Sequence, residues 1–245
     1  MFEPQWGLSF AARNNYEIIP AFSDALKDEV YRIRHQVYCE ELAYEPQRAD
    51  RREYDEYDAQ SLHLLIRDVH NGEFTGCTRL VRVRAEDPYY PLPFEKMCAS
   101  TLDRSIVDPA KLPRDTIGEI SRLALLSQFR RRKGEEKCEG AFSQDIRPLT
   151  NLHFPRVLTD LTLGIIALAR ASGIDTLFVL TEARLARHLR TLGFNFQAIG
   201  APIEHRGQRL PSMMNDFHCN VRPLHQIPAM GWPHAGLGAS AALRH

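Results

Sequence analysis

Little in this sequence names a partner outright. Lys plus Arg and Asp plus Glu stand at 31 each, leaving no net charge. That balance excludes a global field toward nucleic acid or an anionic membrane, so a charged partner must be met by a local patch. The five cysteines at 39, 77, 98, 138 and 219 are odd in number and lack C-x-x-C spacing, and Cys219 beside His218 has no second ligand pair nearby. That pattern points away from a disulfide frame and from a structural zinc, and no metal is expected. No window approaches ~18 consecutive apolar residues, and the opening MFEPQWGLSFAARNN has no basic start followed by an apolar run. These absences predict a protein of the reducing cytoplasm.

What is present is enough for a substantial core: 245 residues, 44% of them hydrophobic. Ser23 is a good N-cap, and Leu26, Val30, Ile33 and Val37 recur at helical spacing behind it. Arg34 and Tyr38, four apart, share a neighbouring face that looks toward the following loop. From Glu45 to Asp58 that loop is crowded with charge, and composition alone reads it as solvated surface. Leu62 to Val69 and Phe74 to Arg84 read as a hairpin turning at His70-Asn71-Gly72-Glu73. In its second strand Arg79 shares the more apolar face with Cys77, Val81 and Val83, so it must be paired or line a cavity.

After a proline-rich stretch from Pro88 to Pro93 and an irregular segment, Ile117 to Ser127 reads as a central strand. Alternation puts Glu119 and Ser121 on one face and Arg122 on the other, unless a bulge intervenes. A helix from Pro155 to Gly173 and an apolar strand from Ile174 to Thr181 then complete a parallel pair through a crossover. A short helix, Ala183 to Leu192, stops at Gly193, and Phe194 to Ile199 suggests a last strand. The expected organisation is one domain over residues 1–222 and a tail or cover over 223–245. Its class is α/β (α+β), with an antiparallel start and a parallel finish.

One constellation is more specific than the rest. Arg34-x-x-x-Tyr38, Tyr44, Asp55-x-x-Asp58, Gly76-x-x-Arg79-Leu80, Phe94 and Glu119-x-Ser121-Arg122 follow one another in an order that resembles acyl-homoserine lactone synthases. These lie in the N-acetyltransferase-like (GNAT) superfamily. Leu123 to Gly134 and Leu185 to Phe194 resemble the wider superfamily, its basic turn and its late Leu-Gly-Phe helix. Tyr38 and Tyr44 depart from the Phe and Trp of lactone synthases, and Arg131 to Pro148 is a longer insertion. The E-I-S-R-L strand, arginine-rich turn and long insertion look closer to acyltransferases associated with PEP-CTERM and exosortase systems.

The resemblance implies a GNAT-like mixed sheet whose parallel pair splays, and N-acylation of an amino acid by a long-chain thioester. Glu119 is expected as general base or as a structural carboxylate paired with Arg79 or Arg122, with Ser121 and Arg122 beside it. Arg34, Tyr38, Tyr44, Asp55, Asp58, Arg79 and Phe94 are expected around the acceptor, or as ion-pair network and core packing. Leu123 and Leu125 would offer backbone to a phosphopantetheine arm, and Arg130, Arg131 and Arg132 would meet coenzyme A phosphates or an acidic acyl carrier protein. No bound cofactor and no nucleic-acid partner are expected, while a lipid product implies peripheral membrane contact. The alternatives are a lactone synthase using S-adenosylmethionine and a non-catalytic acyl-ligand sensor.

Overall fold

The computed structural model describes residues 10–11, 16–130 and 153–215. Of the sequence expectations, Arg131, Arg132, the rest of the insertion to Pro148 and the tail from 223 lie outside those residues. In chain order the elements begin with strands β1 (Phe10–Ala11) and β2 (Tyr16–Pro20), then helix α1 (Asp24–His35). Strands β3 (Ser61–Asp68) and β4 (Phe74–Arg82) precede a short helix α2 (Pro93–Met97). Strand β5 (Ile117–Leu125) leads to helices α3 (Ser127–Arg130) and α4 (His153–Ala171). Strand β6 (Thr176–Thr181), helix α5 (Ala183–Thr191) and strands β7 (Gln197–Ala198), β8 (Ile203–Glu204) and β9 (Gln208–Asn215) complete the chain.

One sheet runs β1-β2-β3-β4-β5-β6-β9-β7, with β8 paired to β9. Each pair of neighbouring strands is antiparallel except β5 with β6. Alternation along the strands separates two faces. Leu64, Ile66, Leu80 and Leu125 pack with Leu158, Leu161 and Ile165 of α4, and with Leu185 and Leu189 of α5. Leu65, Cys77 and Ala124 pack on the other face with Val30, Ile33 and Val37. Farther along that second face, Val81, Ile117 and Phe178 meet Tyr57 and Phe94. Among the described residues no helix is long and apolar enough to cross a membrane.

Local chemistry explains the entry and exit of α1. Ser23 accepts a hydrogen bond from Leu26 N at 3.3 Å, satisfying one of the amides that the first turn leaves open. The helix does not stop at its C-cap but widens into a π-helical turn over Gln36–Glu41, where Leu42 N reaches Val37 O. A π-turn shifts the facing of every later side chain, and here it carries Tyr38 onto β5.

Two expectations are corrected. The charged loop is not a solvated strip, because Glu53 and Tyr57 in it are buried and Asp58 turns inward. Arg122 is not on the face opposite Ser121. Cys77 pairs with Ala124 but Arg79 with Ser121, so β5 fits one extra residue into that interval. Arg122 takes it up with φ 51°, and the bulge swings its guanidinium to Glu53 and Asp55.

Candidate active site

β5 and β6 stay in register from Ile117↔Thr176 to Ile120↔Val179 and then part, although β5 continues to Leu125 and β6 to Thr181. A cavity of about 360 Å³ passes through the gap. On the α4 side its wall is apolar, built from Leu158, Leu161, Ile165, Leu185, Leu189 and Phe196. On the α1 side it is polar, with Asp55, Arg79, Glu119, Ser121 and Arg122 beside Tyr38 and Tyr44. Leu123 and Leu125 line the gap itself. One opening in the sheet therefore joins a greasy arm to a charged chamber.

Glu119 stands where the two meet. Its Oε2 accepts a hydrogen bond from Phe94 N at 2.8 Å. Burial pushes its carboxyl up to about 8, while that amide and the cations Arg79 and Arg122 hold it from rising further. A carboxylate poised near neutrality and facing a cavity has the properties of a general base. Phe94 itself is core, stacked on Phe178 at 4.3 Å between ring centres. Its part at the site is played by its backbone.

Behind the chamber lies an ion-pair lattice. Arg34 gives Nε to Glu53 at 2.5 Å, and Nη1 and Nη2 to Asp58 at 2.7 and 3.1 Å. Arg79 gives Nη1 to Asp55 at 2.6 Å and to Asp58 at 2.9 Å, and Nε to Ser121 Oγ at 3.1 Å. Arg122 reaches Asp55 at 3.0 Å and Glu53 at 3.2 Å. Burial alone would raise the Asp58 carboxyl, but Arg34, Arg79 and the Asp55 amide overcome it and hold the pKa well below the usual range. Burial likewise works against charge on Arg34, and Glu53 and Asp58 reverse that. Arg34 and Asp58 do not line the cavity; they fix the residues that do.

Burial pushes the Tyr38 hydroxyl up to about 12, so it stays protonated, and it donates a hydrogen bond to Leu123 O at 2.8 Å. That ties the π-turn to β5 just past the bulge. Across the mouth, Arg206 pairs with Glu45 at 2.6 Å and lies over the Tyr44 ring at 5.8 Å. Glu45 also faces Arg122 at 3.6 Å, so the β8–β9 hairpin is latched to the charged loop. Sequence reading passed over Glu53, Glu45 and Arg206 as site residues. Glu53 carried the one available signal, a carboxylate in a loop already holding Asp55 and Asp58. Arg130 closes α3, and the donor-binding role expected of it and of Arg131 and Arg132 is not placed by the described residues. Among the described residues no cluster of His, Cys, Asp and Glu is arranged to hold a metal ion.

Residues 33–138 match the family described as an acetyltransferase (GNAT) domain. The fold is GNAT-like. That match supports an N-acyltransferase. Similar solved structures include TofI in a ternary complex with an inhibitor and MTA, at 19% identity and TM-score 0.55, over 82% of this chain and 91% of that one. The AHL synthase LasI follows at 18% and 0.55, over 81% and 88%. FeeM, an N-acyl amino acid synthase from uncultured soil microbes, aligns at 13% and 0.51, over 82% and 90%. At such identities the likeness is one of fold. No curated protein sequence matches the chain.

Proposed function

We propose that this chain transfers a long-chain fatty acyl group from a carrier thioester to the amine of an amino acid. The supporting observation is the cavity through the sheet, apolar on one side and charged on the other, with Glu119 at the junction. In this reading the acyl chain occupies the arm between α4 and α5, and the thioester carbonyl sits in the gap. The neutral amine nitrogen attacks that carbon and the C–S bond breaks; Glu119 takes the amine proton, directly or through one water, and passes it to the departing sulfur, so the carrier leaves as a thiol and the carboxylate is restored. The thioester is already activated, so the protein contributes position and a proton acceptor. Leu123 and Leu125 offer backbone groups to the extended pantetheine arm. The activity resembles that of acyltransferases of PEP-CTERM and exosortase systems.

The test is incubation with long-chain acyl carrier protein, acyl coenzyme A and a mixture of amino acids, with products read by mass. N-acyl amino acids are expected, and the donor that supports them identifies the carrier. Release of methylthioadenosine when S-adenosylmethionine is supplied would instead mark lactone synthesis. Tight binding of the acyl carrier without turnover on any amine would mark a sensor.

The arm also sets an expected donor preference. Leu161→Trp fills it from the α4 side, and a pocket of this kind discriminates by roughly 10- to 200-fold per methylene. The variant should lose at least that factor of kcat/KM with the longest donor the wild type accepts, while shorter donors react at near wild-type rates. A uniform loss across chain lengths would place the acyl chain elsewhere.

A further inference from the structure

The charged chamber contains an unmet demand. Among the described residues the buried side-chain nitrogens without a hydrogen-bond partner are both nitrogens of His63, Nε2 of His188 and Nη2 of Arg79. Of these three residues, Arg79 alone lines the cavity. Its guanidinium is 1% exposed, its Nε is given to Ser121 and its Nη1 to Asp55 and Asp58. Both hydrogens of Nη2 are left with no acceptor, and a buried donor in that state calls for a ligand or a water.

The register says what else such a ligand would touch. Arg79 pairs with Ser121 and Val81 with Glu119, so Arg79 and Glu119 are diagonal neighbours on one face of adjacent strands. Such neighbours lie roughly 7–8 Å apart at the backbone, within reach of one small molecule held at both ends. The surrounding charges limit what that molecule can be. Arg34, Arg79, Arg122 and Arg206 are matched by Glu45, Glu53, Asp55 and Asp58, all bound to one another. Of these, Asp55, Arg79, Arg122 and Arg206 reach the cavity while Arg34, Glu45, Glu53 and Asp58 stand behind it, and their charges are spent on one another. A molecule with a carboxylate at one end and an amine at the other offers a partner to each of the two groups left over, Arg79 Nη2 and Glu119, which is what its desolvation requires.

We infer that Arg79 Nη2 takes the carboxylate of a zwitterionic α-amino acid while Glu119 takes its amine. Acceptors are thus selected as amino carboxylates and plain amines are refused. The inference rests on the acyltransferase reading and adds the group that recognises the acceptor. Arg34, whose three nitrogens are all given to Glu53 and Asp58, has no part in it.

The test uses the amino acid that gives the main product, its primary amide, its methyl ester and the decarboxylated amine, each with the same long-chain acyl donor. A site built to hydrogen-bond a group rejects analogues lacking it by about 10²-fold or more, so the amide, ester and amine should fall by at least that factor in kcat/KM. Arg79→Lys should raise KM for the amino acid and narrow the acid-to-amide ratio; should it fail to fold, the analogue series still decides. Acylation of the amide and amine within about tenfold of the acid would overturn the inference alone. Acylation of no acceptor at all would sink the acyltransferase reading and this one with it.

Discussion

Glu119→Gln should lower kcat by about 10²- to 10⁴-fold, the range that a positioned general base contributes, without loss of the fold. The amide oxygen of Gln still accepts from Phe94 N, which holds Glu119 Oε2 at 2.8 Å, so the local architecture has what it needs. What disappears is the proton acceptor. In the wild type the rate should rise with pH through an apparent value near that of the buried carboxyl, about 8, and in the variant that limb should vanish. Stability carries the complementary signature. The folded carboxyl lies above its ordinary value of 4.5, so native protein holds a proton that the unfolded chain releases between 4.5 and about 8. Stability from that retained proton is fully present below the lower value and lost as pH climbs through the upper one. Melting curves of the wild type should therefore decline from pH 5 to pH 9 more steeply than those of Glu119→Gln. Parallel decline in both would mean that Glu119 is not the group that titrates.

The second large effect is on stability. Arg34→Met should cost about 3–5 kcal/mol, since removing one member of a buried ion-pair set leaves the others uncompensated. Arg34 is completely buried and spends every nitrogen on Glu53 and Asp58, which would remain in the interior with one fewer cation to face. Arg104→Ala provides the contrast. It removes an i,i+4 partner of Asp108 from a side chain that is 54% exposed, and pairs of that kind are worth about 0–1 kcal/mol. Urea unfolding at neutral pH measures both. Equal effects would show that the lattice behind the cavity bears no more strain than a surface pair.

Much of this was legible from residues alone. The hairpin, the crossover helix and the parallel pair follow from hydrophobic spacing and from turn residues such as Gly72, whose φ of 74° suits the turn between β3 and β4. Arg79 had to be paired or border a cavity because of the strand face it occupies, and it does both. Strand β9 was harder, because Pro211 interrupts its pattern. The proline carbonyl accepts from Ile199 N, so its missing N–H also faces away from β6, past the two-residue β7, and the β6 ladder is undisturbed. The bulge at Arg122 leaves no local mark, since Arg is not a residue that prefers positive φ. Nor can composition distinguish a solvated acidic loop from one pulled inward. That depends on Arg34 and Arg79, which come from a helix and a strand remote in sequence.

The account stands on one arrangement: acyl chain on the α4 side of the parted strands, acceptor on the other, and position 119 between them. A crystal structure with an N-acyl amino acid bound measures it directly. The chain should lie against Leu161, Leu185 and Leu189, with the amide nitrogen within about 3.2 Å of the Glu119 carboxyl or joined to it by one water. A product seated outside the sheet, or threaded in the reverse sense with its carboxylate against those leucines, would contradict it.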